Sequence, residues 1–83
     1  MKLLYFAWVR QKTGRGEEDM ALPAGVKTVG ELIAHLRGRG HGYADAFSDP
    51  NRIRAAINQE HARFDAALRD EDEIAFFPPV TGG

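Results

Sequence analysis

The sequence predicts an α+β fold, in which a mixed sheet of about five strands carries one main helix packed on one face. Two observations indicate this fold: apolar, strand-like runs lie near both ends of the chain, and an amphipathic stretch at helical spacing lies between them. With 83 residues and neither repeats nor linkers, residues 1–83 are predicted to form a single domain.

The first strand is predicted at residues 2–10, a run rich in aromatic and branched side chains. Period-2 alternation separates two apolar faces, one with Leu3, Tyr5, Ala7 and Val9 and the other with Leu4, Phe6 and Trp8. Because both faces are apolar, we expect a central strand that is covered on both sides. The glycines at 14–16 predict a turn, after which residues 17–22 return as a more polar strand.

The one main helix is predicted at residues 28–37. Thr28 and Glu31 have the spacing of a capping box, in which each side chain satisfies a backbone N–H of the other residue. Apolar residues then recur on one helical face, at Val29, Leu32, Ile33 and Leu36. Gly38 and Gly40 end the helix.

The remaining segments are predicted as a loop at 41–51, a strand at 52–58, a turn at 59–60, a short edge strand at 61–64, an acidic turn at 70–72 and a last strand at 73–77. In the strand at 52–58, Ile53, Ala55 and Ile57 are expected to face inward. A hairpin, a crossing helix and a final strand beside the first make the β-grasp arrangement of ubiquitin.

Composition and motifs exclude several kinds of function. The chain has no cysteine, and a net charge of −1 argues against nucleic-acid and membrane partners. The histidines, His35, His41 and His61, match no metal-ligand spacing, so no metal site is expected and each is predicted to be a surface residue. The acidic turn lacks the features of a calcium loop. With no signal peptide or membrane span, the expected location is the cytoplasm.

The C-terminal tail, residues 78–83, is the distinctive feature of the sequence. It reads Pro78, Pro79, Val80, Thr81, Gly82 and Gly83. The prolines stiffen the exit from the last strand, and the whole tail spans roughly 20 Å when extended. Glycines have no Cβ to clash with the walls of a narrow cleft, so the tail is predicted to be flexible and to thread into another protein.

The tail also ends in a reactive group. An α-carboxyl group has a pKa near 3.5 and is therefore anionic at neutral pH. Such a carboxylate can attack the α-phosphate of ATP to give an acyl adenylate, which sulfide equivalents convert to a thiocarboxylate and amines convert to an amide.

Three stretches resemble the MoaD-type sulfur-carrier family, the small subunits of molybdopterin synthase: YFAWVRQKTG, AAINQEHARFDAAL and DEIAFFPPVTGG. The resemblance implies that Gly83 is adenylated by an ATP-dependent activating enzyme, and that it then receives sulfur from a separate donor. The tail would enter the large subunit of a heterotetramer and donate sulfur to cyclic pyranopterin monophosphate, which forms the molybdopterin dithiolene. No bound cofactor and no catalysis by the small subunit alone are implied, since the catalytic residues belong to the large subunit.

Two other functions use the same chemistry. The protein could be a ubiquitin-like modifier that is joined to lysines through Gly83, or a sulfur carrier for thiazole synthesis.

Four residues form a predicted partner interface: Leu4, Phe6, Trp8 and Phe77. Together they exceed what a single helix can cover, although the loop at 41–51 could fold over them. The family often has apolar residues where this chain has Glu60 and His61, so a partner contact at that turn would be more polar here.

Overall fold

The computed structural model describes residues 1–79, which contain five strands and three α-helices. The strands are β1 (Lys2–Tyr5), β2 (Glu17–Asp19), β3 (Arg54–Ile57), β4 (Glu60–Ala62) and β5 (Glu73–Phe77). The helices are α1 (Ala7–Thr13), α2 (Val29–Arg37) and α3 (His41–Ala46), and a 3₁₀ turn spans Pro50–Arg52.

The five strands form one mixed sheet in the order β2-β1-β5-β3-β4. The central strands β1 and β5 are parallel, with Tyr5 opposite Phe76, and the other three pairings are antiparallel. The last strand therefore lies beside the first, which confirms the α+β, β-grasp prediction.

Helix α2 begins and ends where the sequence predicts. The Thr28 hydroxyl accepts a hydrogen bond of 3.2 Å from the Glu31 backbone N–H, and the Glu31 carboxylate accepts one of 3.1 Å from the Thr28 backbone N–H. The capping box is thus complete. The four apolar residues of the predicted stripe are all buried against the sheet: Val29, Leu32, Ile33 and Leu36.

The first predicted strand is too long. The strand β1 ends at Tyr5, and Ala7, with a φ of +52°, turns the chain into helix α1. Gly14 ends this helix in the left-handed region, with its N–H donating to the Arg10 carbonyl at 2.9 Å. Residues 7–13 include Arg, Gln and Lys, which favour a helix, but the preceding run of aromatic residues gave the stretch a strand-like pattern.

The predicted loop at 41–51 is also wrong in part, because it contains helix α3 and the start of the 3₁₀ turn. Tyr43, Ala46 and Phe47 are buried at the i, i+3 and i+4 positions of a helical stripe. The stripe is short, and the helix contains Gly42, so the helical pattern is easily missed. Gly42 is required for packing, because a Cβ there would lie 2.1 Å from the Lys12 carbonyl oxygen of α1.

The strands β3 and β4 form the predicted hairpin, with its turn one residue earlier than predicted. Asn58 and Gln59 have φ angles of +50° and +72°, the two left-handed positions of a type I′ turn. Ile53 and Ala55 are buried as predicted and Ile57 is half-buried, but Ala56 is buried too, so the burial along this strand does not alternate cleanly. The strands β2 and β4 are shorter than predicted, and Asp72 of the acidic turn is buried rather than solvated.

Residues from the sheet and all three helices meet in one hydrophobic core. Its largest fully buried side chains are Tyr5, Phe47, Phe76, Leu3, Leu32, Leu36, Ile53, Ile74, Val9 and Val29. Within residues 1–79, no helix is long and apolar enough to span a membrane.

Candidate functional site

Strand β5, which precedes the C-terminal tail, lies in the middle of the sheet. Strand β5 ends at Phe77, and the two prolines that follow are half-buried. The predicted site residues Val80, Thr81, Gly82 and Gly83 lie outside the described residues. Within the described residues, the site is therefore the end of β5, from which the tail starts. We call this end of β5 the base of the tail.

Neighbouring strands hold this base on both sides. On one side, Phe76 pairs with Tyr5 of β1, and the next backbone N–H, of Phe6, donates to the Phe76 carbonyl at 3.1 Å. On the other side, Phe77 lies opposite Arg54 of β3. Because β5 is paired along both edges, its last residue is fixed in position and direction.

Packing of Phe76 in the hydrophobic core also holds the base of the tail in place. The Phe76 ring stacks on Tyr5 at a centroid distance of 6.2 Å and meets the edge of Phe47 at 5.1 Å. All three rings are at most 1% exposed. Aromatic pairs in these geometries add to the stability from burial alone, so these rings anchor the end of β5 in the core.

The face of the sheet opposite this core carries a small apolar row. Strand register places Leu4, Ala75 and Ala56 side by side across β1, β5 and β3. Phe77 lies on the same face one row nearer the tail, where its ring meets that of His61 edge-on at 5.4 Å. Phe6 continues the alternation of β1 and is 49% exposed.

The structure thus brings together three of the four predicted interface residues. Leu4, Phe6 and Phe77 lie on the open face of the sheet, near the start of the tail. The fourth residue, Trp8, was predicted to lie on the same strand, but it lies on helix α1. There its ring is covered by the Arg52 guanidinium at 5.2 Å and by the Lys12 ammonium at 5.9 Å.

The segment that could have covered the open face packs elsewhere. Tyr43 and Phe47, from the predicted loop, both contact the Tyr5 ring on the core side of the sheet. Lys12 and Asp45 form an ion pair that ties α3 to α1. Helix α3 therefore lies on the core side of the sheet, whereas Leu4 lies on the open face.

A polar cluster that the sequence analysis missed lies behind strand β2. The Glu18 carboxylate accepts hydrogen bonds from Tyr5 at 2.7 Å and Tyr43 at 3.0 Å, and it forms a bidentate pair with Arg39 at 2.8 and 3.1 Å. The Glu18 side chain is only 8% exposed. Arg15, three residues before Glu18, also pairs with it at 3.1 Å, but the other partners are 13, 25 and 21 residues away in the chain, so the local spacing does not reveal the cluster.

This cluster shifts the pKa values of its members. Burial opposes ionisation of the Glu18 carboxyl, but the hydrogen bonds that it accepts outweigh burial, so the pKa of Glu18 lies below its ordinary value. Burial, and then the hydrogen bond to Glu18, raises the pKa values of Tyr5 and Tyr43. The cluster is fully paired and joins β2 to α3, which indicates a structural role.

Side-chain chemistry is sparse in the rest of the described chain. His35, His41 and His61 are exposed, as predicted. In residues 1–79, no three His, Asp or Glu side chains converge in a way that could hold a metal ion. What residues 1–79 do provide is a rigid platform that presents the start of the tail beside an apolar surface.

Comparison with known proteins places this platform in a family. A family model described as the ThiS family matches residues 3–83. The molybdopterin synthase sulfur carrier subunit of Escherichia coli is 42% identical over 83 residues, which cover 100% of this chain and 99% of that protein.

Solved structures with the same fold are also similar to this chain. A putative molybdopterin converting factor, subunit 1, from Pyrococcus furiosus has a TM-score of 0.74 and 33% identity, with 95% of both chains covered. SAMP1 from Haloferax volcanii has a TM-score of 0.72 and 27% identity, with 100% of this chain and 98% of that chain covered. The matches run along the whole chain, and the protein therefore belongs to the ThiS family.

Proposed function

We propose that this protein is the sulfur carrier subunit of molybdopterin synthase and that its working group is the α-carboxyl group of Gly83. One observation carries the proposal: strand β5 is fixed in the centre of the sheet up to Phe77, and the sequence PPVTGG, with the Gly82-Gly83 pair, follows it directly. The full-length similarity to a sulfur carrier subunit supports it.

The first reaction is activation of the carboxylate. Its oxygen attacks the α-phosphorus of ATP held by an adenylating enzyme, so that an acyl adenylate forms and pyrophosphate leaves. A sulfur donor then supplies sulfur at the sulfide level, as hydrosulfide or its equivalent, which attacks the carbonyl carbon and displaces AMP, so that a thiocarboxylate remains at Gly83. Because Gly83 has no Cβ, the carbonyl carbon is open to attack at each step.

The second reaction takes place in the large subunit. The tail enters that subunit, and the thiocarboxylate sulfur attacks a carbon of cyclic pyranopterin monophosphate while a carbon–oxygen bond at the same carbon breaks, so that an oxygen substituent leaves. Water then hydrolyses the acyl–sulfur bond, so that the sulfur stays on the pterin and the carboxylate of Gly83 is regenerated. Two such transfers supply both sulfurs of the dithiolene, with the catalytic side chains provided by the large subunit of a heterotetramer.

This chain contributes position and reach to both reactions. The fixed end of β5 sets where the tail starts, Pro78 and Pro79 restrict its direction, and Gly82 and Gly83 fit a narrow cleft. Leu4, Phe6 and Phe77 form the adjoining contact surface for the large subunit. We place both reactions in the cytoplasm.

Intact-mass analysis tests the proposal directly. The carrier is incubated with the adenylating enzyme, ATP and a sulfur donor, and we expect the mass to rise by one oxygen-to-sulfur exchange at Gly83. Deletion of Gly83, or a tag at the C-terminus, should abolish the gain, whereas the same tag at the N-terminus should leave it unchanged. An unchanged mass with an active adenylating enzyme would contradict the proposal.

The same experiment separates the two alternatives. Amide-linked conjugates between Gly83 and lysines of other proteins would instead indicate a protein modifier. If the thiocarboxylate forms, co-purification with a thiazole synthase in place of a pterin-binding subunit would indicate a different sulfur acceptor.

A further inference from the structure

The end of the sheet from which the tail starts carries three arginines, Arg10, Arg52 and Arg54, which we call the exit arginines. Arg54 is the first residue of β3 and lies opposite Phe77, the last residue of β5. Arg52 lies in the 3₁₀ turn just before β3 and stacks on Trp8 of α1. Arg10 lies on α1, which begins where β1 ends.

None of the exit arginines has a carboxylate within 4 Å in residues 1–79. Six other cationic side chains do have one: Lys2, Lys12, Arg15, Arg39, Arg63 and Arg69. The Asp49 carboxylate is near Arg52 in the chain, but it accepts from the Asn51 backbone N–H and caps the 3₁₀ turn. The exit arginines therefore keep their charge without neutralisation by the described chain.

Two of these charges are nevertheless held in place by uncharged groups. The Arg54 guanidinium donates to the carbonyls of Asn51 at 3.3 Å and Ile53 at 3.0 Å. The Arg52 guanidinium lies 5.2 Å from the centre of the Trp8 ring. An arginine that is ordered in this way, yet has no counter-ion, loses little conformational entropy when it meets a carboxylate on a partner.

The opposite end of the sheet is rich in acidic residues. Acidic residues cluster there where β2 ends and β5 begins: Asp19, Asp70, Glu71, Asp72 and Glu73. A net charge of −1 therefore conceals a charge separation along the strands, with the positive end at the tail. Such a separation orients a protein as it approaches a charged partner.

We propose that the exit arginines are a docking rim for carboxylates that surround the tail-receiving cleft of the large subunit. This inference rests on the proposed function and adds the chemistry of the partner surface. A protein partner fits better than a phosphate ligand, because the three arginines are spread around the exit. The groove of about 550 Å³ beside α1, for example, is lined by Arg10 but by neither Arg52 nor Arg54. The rim steers the tail toward the cleft, and Leu4, Phe6 and Phe77 complete the contact.

Association kinetics with the purified large subunit test the rim. The variant Arg52→Gln/Arg54→Gln removes two exit charges, and the matched control Lys2→Gln/Arg69→Gln removes two charges at the opposite end. We expect the association rate constant at low salt to fall about tenfold in the first variant and less than about twofold in the control. High salt should slow the wild type to near the rate of the first variant. The charge-conserving variant Arg52→Lys/Arg54→Lys should recover most of the rate.

Several results would overturn the proposal. Equal losses in the two glutamine variants, or a wild-type rate that does not depend on salt, would show that the exit arginines do not steer docking. Saturable shifts of the Arg52 and Arg54 NMR signals with inorganic phosphate would assign them to a small anion instead. Loss of the mass gain at Gly83 is a failure of the proposed function, whereas an intact mass gain with salt-independent docking is a failure of the rim alone.

Discussion

The side chain of Asn58 in the β3–β4 turn donates a hydrogen bond of 2.9 Å to the carboxylate of Asp72, just before β5. The Asn58 amide oxygen also accepts from the Glu73 backbone N–H at 3.0 Å, and Asp72 accepts from the Arg69 backbone N–H at 2.8 Å. Asp72 is 8% exposed, so these bonds satisfy a buried carboxylate. One side chain thus links the hairpin turn to the start of the tail-bearing strand.

Replacing Asn58 should therefore cost more than an exposed position suggests. We expect Asn58→Ala to lower the free energy of unfolding by about 2–3 kcal/mol, since it removes two hydrogen bonds and puts alanine at a φ of +50°. Gln59→Gly at the next left-handed position should raise it by about 0.5–1 kcal/mol, because glycine adopts a φ of +72° without the steric strain of a Cβ. Urea unfolding measures both, and equal effects would contradict the role of the Asn58 amide.

Close contact between α1 and α3 makes Gly42 a second sensitive position. A Cβ there would lie 2.1 Å from the Lys12 carbonyl oxygen, so Gly42→Ala forces the helices apart and should lower the free energy of unfolding by about 2–3 kcal/mol. The control is Gly38→Ala, where the new Cβ would lie 3.5 Å from the His35 carbonyl oxygen. It should be neutral or stabilise by up to about 1 kcal/mol. A tolerated Gly42→Ala variant would show that α1 and α3 do not pack so closely.

The parts of the fold that the sequence predicts well are those with complete local signals. Helix α2 has a capping box, an apolar stripe and a terminating glycine, and β5 ends at a pair of prolines. The strand–helix junction at Ala7 has no such signal, because only the tertiary structure holds a non-glycine residue at a φ of +52°. Helix α3 has only six residues, and it is stabilised by tertiary packing on α1 and on Tyr5 of β1, which the sequence does not show.

The candidate site likewise has parts that the sequence predicts and parts that it does not. The sequence itself shows the Gly-Gly end, and alternation along β1 correctly places Leu4 and Phe6 on one face. Trp8 was misplaced because the alternation was continued past the end of the strand. The Glu18 cluster and the exit arginines depend on which residues the folded chain brings together, and the spacing along the sequence does not contain that information.

Glu18 should make stability depend on pH in the acidic range. Its folded-state pKa lies below the ordinary glutamate value of about 4.3, so the carboxylate stabilises the fold above that pH and the contribution is lost as pH falls through the folded-state pKa. We expect Glu18→Gln to cost about 2 kcal/mol at pH 7 and less as the pH falls below 4.3. Glu17→Gln, at an exposed position, should cost less than about 0.5 kcal/mol. A Glu18→Gln effect that does not change with pH would contradict the assignment.

Phe6 should matter more for association than for folding. Because its side chain is 49% exposed, we expect Phe6→Ala to lower the free energy of unfolding by less than about 1 kcal/mol. Binding to the large subunit should weaken at least tenfold, as for an aromatic residue at the centre of an interface. The control Phe64→Ala alters a half-buried ring that packs against the core beside Gly30 of α2, so it should reduce stability and leave binding unchanged. Calorimetric titration with the large subunit measures the affinities, and an unchanged affinity for Phe6→Ala would exclude Phe6 from the interface.

The two prolines after β5 should affect the rate of sulfur transfer without affecting the fold. Pro78 and Pro79 have restricted φ angles, so the chain leaves the fixed end of β5 within a narrow range of directions. Pro78→Ala/Pro79→Ala widens that range and lowers the fraction of tails that point into the cleft. We expect a several-fold slower transfer in single-turnover assays with the thiocarboxylated carrier, while the melting temperature stays within about 2 °C. Pro23→Ala, in the loop before α2, controls for a general effect of proline removal and should leave the rate unchanged. Wild-type transfer by the double variant would mean that β5 and its neighbours orient the tail without the prolines.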